Sequence, residues 1–386
     1  MRSLKVSIAA AGIFLFAGLP VGTVSAQGPE PGSSETIARP KKKDVPADAP
    51  APPSTPDVPP PQPKIPSKFS TKGKDIPEGT PTFRSDVNTV ELEVAVLDNK
   101  GRFIPNIPKG NFRVLEDNVP QQIATFNANG DAPMTIAMVV EFNAQFQQIY
   151  SQGWFETLNA AYGFAQQLKP EDFFAVVAYD LKTEILSDFT TDREKTAEAM
   201  QRLRIPGFSE SCMYDALADM ETRMSNIEGR KAILLIATGR DTLSKLTFDK
   251  ARKAIQEGGV PIYAISLLQA LRIMAEPYMG EGQRMDFIMA DNVMNTFARE
   301  TGGQAFFPRF YAEYPQIYKN ITDALRNQYS ITYAPTNQAR DGKYRKLKVD
   351  LVDPASGQPL KVVENGKPIK YTVIAKQGYN APREVE

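Results

Sequence analysis

The chain has 386 residues, 45 basic and 45 acidic side chains, no histidine and a single cysteine, Cys212. That composition excludes an imidazole general base, Ser-His-Asp and Cys-His relays, histidine-ligated metals and any intrachain disulfide. Balanced charge leaves no electrostatic footprint for nucleic acid, while 42 % apolar residues over this length allow a proper core and about two domains.

Residues 1–26 read as a secretory signal peptide. Arg2 and Lys5 precede the uncharged apolar run Val6 to Leu19, and Val24-Ser25-Ala26 forms a small-residue cleavage site. The run is shorter than the ~18–20 apolar residues of a membrane span, so no span is expected after cleavage. The mature chain is expected in the periplasm or outside the cell, with two more acidic than basic side chains. Residues 27–84 carry fifteen of the 31 prolines, densest at Pro59-Pro60-Pro61-Gln62-Pro63, with Lys41-Lys42-Lys43 nearby. Few bulky apolar residues accompany them, so the stretch reads as a semi-rigid, polyproline-like linker, either a stalk or an untargeted leader.

Ordered structure is expected from residue 85. Val90, Leu92, Val94 and Val96 alternate with Glu91, Glu93 and Ala95, the period of a half-buried strand. Phe112 to Leu115 and Gln122 to Phe126 read as two more strands, joined by the turn Glu116-Asp117-Asn118. Residues 85–130 thus form the first part of a small β domain. From 131 to 335 the rhythm changes. Met134 to Val140 is a nearly continuous apolar run, as in a parallel strand covered on both faces. Trp154, Phe155, Leu158, Ala161, Tyr162, Ala165 and Leu168 follow at helical spacing. Strands over Phe173–Ala178, Glu184–Phe189, Ala232–Ile236, Ile262–Ser266 and Gln304–Phe307 alternate with helices. One helix opens at Thr191-x-x-Glu194, a capping box; others cover Met213–Asn226, Asp249–Glu257, Phe287–Arg299 and the stretch with Ile317, Ile321 and Leu325. Tyr329–Tyr333 is expected as the last strand. This alternation predicts a doubly wound, mostly parallel α/β sheet. Residues 336–386 return to β character, with Leu347, Val349 and Leu351 alternating and Asn365-Gly366 marking a hairpin. They are expected to pair with the 85–130 segment, giving a flanking β domain built from both ends of the α/β unit.

Phe112 to Ile123, the strand ending at Glu141, the helix end at Thr301-Gly302-Gly303 and the terminal Lys376-Gln377-Gly378-Tyr379-Asn380-Ala381-Pro382 resemble a von Willebrand factor A-related family of exported acidobacterial proteins. The resemblance spans Ser85 to Pro382. It implies a metal-ion-dependent adhesion site: an Asp-x-Ser-x-Ser after the first strand, a Thr from a second loop and an Asp after the fourth strand. Here those positions hold Glu141, Asn143, Gln145, Ser211 and Thr238, none with the family's usual residue. Mg²⁺ demands near-octahedral oxygens at ~2.0–2.1 Å, and longer side chains with one fewer anion do not make that cage. No metal and no other cofactor is therefore expected. Arg240 is a candidate for the place of the cation, and Asp241 lies near enough in sequence to join the site.

Other residues have local readings. Ser211 fits the N-cap of the helix that follows it, and Asp215 fits that helix's first turn. Cys212 reads as a small packed side chain. The segment 267–286, with Met274, Tyr278 and Arg284, is a longer connection than an α/β unit needs. Its Gly280-x-Gly282 follows no strand and is weak evidence for a dinucleotide site. The resulting expectation is an exported, non-catalytic module that binds a protein or cell-envelope ligand through Glu141, Asn143, Gln145, Ser211, Thr238, Arg240 and Asp241. The alternatives are a structural scaffold subunit of an envelope assembly, or a hydrolase using Ser211 with Asp215 or paired carboxylates.

Overall fold

The computed structural model describes residues 89–128, 132–144, 151–203, 209–364 and 366–383. The signal-peptide and Pro-rich readings, Gln145 and the side chain of Trp154 lie outside the described residues. Four strands open the described chain: β1 (Val90–Asp98), β2 (Phe112–Glu116), β3 (Val119–Gln121) and β4 (Ile123–Asn127). The α/β run follows as β5 (Met134–Glu141), α1 (Ser151–Gln167), β6 (Phe173–Tyr179), β7 (Thr183–Thr190), α2 (Arg193–Gln201), α3 (Met213–Ser225), β8 (Arg230–Ala237) and α4 (Phe248–Gly258). It continues through β9 (Ile262–Ser266), α5 (Gln269–Ala275), α6 (Glu281–Thr301), β10 (Ala305–Phe306) and α7 (Tyr314–Asn327). The last strands are β11 (Tyr329–Tyr333), β12 (Tyr344–Leu351), β13 (Val362–Glu364), β14 (Lys367–Ile369), β15 (Tyr371–Ile374) and β16 (Gly378–Asn380).

The central sheet has the order β10-β9-β8-β5-β6-β7, parallel except for the antiparallel edge strand β7. Counted within the unit this is the doubly wound order 3-2-1-4-5-6, with its topological switch between β5 and β8. The apolar run of β5 is explained by its two neighbours on each face. Ile136, Met138 and Val140 pack with Phe164, Ala165 and Leu168 at the end of α1 and with Ile317, Tyr318 and Ile321 of α7. Ala137 and Val139 face the other way, toward Met213, Leu217 and Met220 of α3 and Ile255 of α4. Each such aliphatic or aromatic side chain contributes about 1.5–3 kcal/mol by leaving water. Within α1, Phe155 and Tyr162 stand exposed rather than in the predicted stripe, and Phe164 takes the inward place.

Caps also differ from expectation in detail. Asp192, not Thr191, caps α2, its carboxylate accepting from the backbone N–H groups of Glu194 and Lys195. The predicted glycine stop at Gly302 is present, with φ 84° and N–H bonds back to the last turn of α6.

The flanking unit is a sandwich of two four-stranded antiparallel sheets, ordered β15-β1-β11-β4 and β16-β12-β2-β3. Both sheets therefore mix N- and C-terminal strands. Leu92, Val94, Ile331 and Tyr333 from one face meet Phe112, Val114, Leu347 and Val349 from the other, and the rings of Phe112 and Tyr329 lie 4.9 Å apart across the gap. Two expectations need correcting. Tyr329–Tyr333 does not close the α/β sheet; it pairs antiparallel with β1 and β4, because its buried residues alternate as in a sheet with one apolar face. The Asp117-Asn118 turn, with φ 47° and 67°, joins β2 to β3; the following β4 crosses to the opposite sheet.

Candidate functional site

Glu141 ends β5 and Thr238 follows β8, so the two flank the switch point at the carboxyl edge of the parallel strands. Glu141 is 2 % exposed. The Thr238 backbone N–H donates to Oε2 at 2.6 Å, and the Thr238 hydroxyl lies 3.0 and 2.8 Å from Oε1 and Oε2. The Asn143 amide donates to Oε1 at 2.5 Å, and the Tyr179 hydroxyl lies 3.4 Å from Oε2. Burial raises the Glu141 carboxyl above its ordinary pKa, and hydrogen bonds from Thr238, Ser211 and Tyr179 oppose that rise. Neutral donors thus crowd this carboxylate where the resemblance implies a divalent cation. Such a donor set does not fit Mg²⁺, which needs the same oxygen lone pairs and further anionic oxygens. Among the described residues, no group of three or more His, Cys, Asp or Glu side chains is placed to hold a metal ion.

Glu141, Asn143, Ser211 and Thr238 converge, and all four are buried. Ser211 is not the N-cap of α3. Cys212 holds that position without a side-chain bond, and the Ser211 hydroxyl instead donates to the carbonyl of Arg240 at 3.0 Å. The loop after β8 caps α3 from outside. Asp241 Oδ1 accepts from the Tyr214 N–H at 3.0 Å, and Ser244 Oγ accepts from the Asp215 N–H at 3.2 Å. In return, the Asp215 carboxylate accepts from the N–H groups of Lys245 and Leu246 at 2.9 and 3.0 Å. This reciprocal clamp engages Asp241, which also accepts from the Ser244 hydroxyl at 2.6 Å. Ser211 and Asp215 therefore do not form a nucleophile–base pair. Ser211 is also only 1 % exposed, out of reach of a substrate. Burial and the nearby Asp241, Asp215 and Asp180 push the Cys212 thiol up, which keeps it protonated and unreactive.

Arg240 is exposed. Its guanidinium lies 4.9 Å from the centre of the Phe287 ring on α6, a cation–π contact. α6 packs directly on this loop. Gly239 has φ 80°, and a Cβ there would stand 2.6 Å from the Ala290 carbonyl oxygen and 2.9 Å from Met294. Only glycine suits both the backbone and the approach. The connection expected over 267–286 is thus mostly helical: α5, a short 3-10 turn at Glu276–Tyr278, and an α6 that begins at Glu281, before the predicted Phe287. Large apolar side chains along it face solvent, with Tyr278 89 % exposed and Met274, Met285 and Met289 over half exposed. Met285, Ile288 and Met289 fall on one face of α6 by their i, i+3, i+4 spacing.

Sequence reasoning missed Tyr179, Thr242, Ser244 and Phe287. Thr242 accepts the Ser211 N–H at 2.8 Å. The dense hydroxyl pattern Thr238-Gly239-Arg240-Asp241-Thr242-Leu243-Ser244 was the available signal, since such residues serve as loop and cap partners.

No protein-family model matches the chain, and comparison with curated proteins finds no match. Among solved structures, it is similar to proximal thread matrix protein 1 from the mussel byssus at 12 % identity and a TM-score of 0.40, covering 55 % of this chain and 51 % of that one. The chain thus spans about half the length of the mussel protein. The vWF domain of the type V pili tip protein Mfa5 from Porphyromonas gingivalis is 13 % identical, with 50 % of this chain and 95 % of that one covered and a TM-score of 0.40. A von Willebrand factor type A protein from Catenulispora acidiphila is 13 % identical over 79 % of this chain and 76 % of that one, with a TM-score of 0.37. At such scores these likenesses stand beside the strand order and do not carry the argument for it. By that strand order the central unit is a doubly wound, mostly parallel α/β sheet, as the family resemblance led one to expect.

Proposed function

We propose that the chain is an exported, non-catalytic, adhesion-type module that binds a protein or cell-envelope partner without a metal ion. Its contact surface is the outer shell of the carboxyl edge: Arg240 and the apolar face carried by α5 and α6. The observation that supports this reading is the exposure of Met274, Tyr278, Met285 and Met289 on the segment after β9, together with the exposed Arg240 that stacks on Phe287 of α6. Exposed apolar patches favour protein contacts, and methionine adapts to varied partners. In this reading Glu141, Asn143, Ser211 and Thr238 do not touch the partner, because they are buried. They hold the loop that presents Arg240, and Asp241 braces the same loop against α3. Gln145 remains a candidate contact.

A pull-down from the native envelope tests the assignment. Wild type, Arg240→Ala and a Tyr278→Ala/Met289→Ala double variant serve as baits of matched folding. Arg240→Ala is expected to lower recovery several-fold and the double variant to abolish it. Equal recovery by all three baits would remove this surface from the account.

A further inference from the structure

At the opposite, amino-terminal edge of the parallel sheet lies an open cleft of about 820 Å³. The start of β1, the ends of α3 and α4, the turns that lead into β8 and β9, and the segment around Asn337 and Tyr379 line it. Leu92 and Val94 of β1 point into the sandwich core, so the intervening Glu93 falls on the strand's other face, as does Glu91. Further along that face, Ala95 and Leu97 pack against Ala324 of α7, whereas Glu91 and Glu93 line the cleft. Glu228 and Glu257 complete its acidic lining, against Lys231 and Lys376.

Two independent features mark the cleft as cation-seeking. The first is Glu93 Oε2, a buried carboxylate oxygen that has no hydrogen-bond partner among the described residues. The second is the lining by helix ends. α3 and α4 both finish here, and helix C-termini present unpaired carbonyls and partial negative charge. The protein already uses one of them in this way. The Lys231 ammonium donates to the carbonyls of Ser225 and Ile227 at 2.9 and 2.7 Å, just beyond the last turn of α3. An ammonium is thus the group that this surface holds from within the chain, and Glu93 leaves an oxygen for another.

We propose that this cleft is a binding site for spaced primary ammonium groups, as presented by a lysine-rich peptide or a free polyamine, with Glu93 at its floor and Glu228 and Glu257 at its rim. The site is distinct from the carboxyl-edge surface and does not depend on it. The floor carboxyl titrates near neutrality. Burial first, and then the charge of Glu91 on the same strand, raise Glu93 to about 7; Arg230 of β8 and the side chains of Ser330 and Gln328 oppose the rise. Tyr263 of β9 also faces it and is itself pushed up by burial and by the Glu93 charge. Binding of a cation therefore strengthens as pH rises through 7, when Glu93 becomes anionic.

Calorimetric titration of the full chain with trilysine amide and with spermidine, at low salt and at pH 6 and 8, tests the proposal. Trilysine is expected to bind saturably, several-fold tighter at pH 8, and about tenfold more weakly to Glu93→Gln. The rim variant Glu228→Gln/Glu257→Gln, which alters no buried group, is expected to weaken binding by a smaller factor and to remove part of its salt dependence. Tighter binding of spermidine with the same sensitivity to both variants would make a free polyamine the ligand. Absence of saturable binding by either probe, equal binding of Nε-acetylated trilysine, or affinities unchanged in both variants would overturn the proposal.

Discussion

The two ends of the central sheet treat a glutamate in opposite ways. At the carboxyl end Glu141 accepts hydrogen bonds on both oxygens, from Thr238 and Asn143, and is 2 % exposed. At the amino end Glu93 borders an open cleft, and one of its oxygens has no hydrogen-bond partner among the described residues. Burial raises both carboxyls. The difference lies in the neighbours. A backbone N–H, a hydroxyl and an amide surround Glu141 and make it a brace between β5 and β8. Glu93 stands beside the carboxylate of Glu91, opposed by Arg230 and the side chains of Ser330 and Gln328, and in the proposed site its remaining oxygen takes a cation.

Removing the brace is expected to have the largest effect. Glu141→Ala would take away the carboxylate that the Thr238 N–H, the Thr238 hydroxyl and the Asn143 amide reach, at ~1–3 kcal/mol for each buried donor that loses its acceptor. A loss of about 3 kcal/mol or more is expected in urea unfolding, seen as a lower midpoint with unchanged slope. A loss below about 1 kcal/mol would mean that Glu141 is not a structural brace. Gly239→Ala should cost somewhat less. A left-handed residue with a Cβ costs ~1–2 kcal/mol, and its overlap with Ala290 adds to that unless α6 shifts. Increased amide exchange confined to α6 would identify the helix as resting on this loop, while unchanged exchange would separate them.

The smallest effect sharpens the other end. Because the folded-state pKa of Glu93 is raised from 4.5 to about 7, its contribution to stability is full below pH 4.5 and is lost as pH rises toward and through 7. Glu93→Gln removes that dependence. In the absence of ligand the variant should therefore gain in Tm relative to wild type between pH 5 and pH 8. A difference that stays constant across this range would show that Glu93 does not carry a buried charge.

Much of this was legible in the sequence. The unbroken apolar run Met134–Val140 encodes a strand covered on both faces, and the alternating runs at both termini encode a two-sheet unit. The family resemblance implied that Glu141, Ser211 and Thr238 share one edge; parallel strands deliver Glu141 and Thr238 there, while Ser211 comes from the segment between α2 and α3. Burial of those side chains was not legible. Nor was the approach of α6 to Gly239, a contact between segments fifty residues apart that leaves no local pattern. Tyr329–Tyr333 was misplaced for a related reason: five alternating residues fit either sheet, and only pairing partners distant in sequence choose between them. The amino-edge cleft was equally hidden, since Glu93, Glu228 and Glu257 share no motif.

We propose that the edge between β5 and β8, where Thr238 and Asn143 hydrogen-bond Glu141, takes no divalent cation. Isothermal titration of the full chain with Mg²⁺ and Mn²⁺ at pH 7.5 tests it most directly. The account predicts no saturable site tighter than about 100 μM, roughly −5.5 kcal/mol. A tighter site that disappears in Glu141→Gln would contradict it.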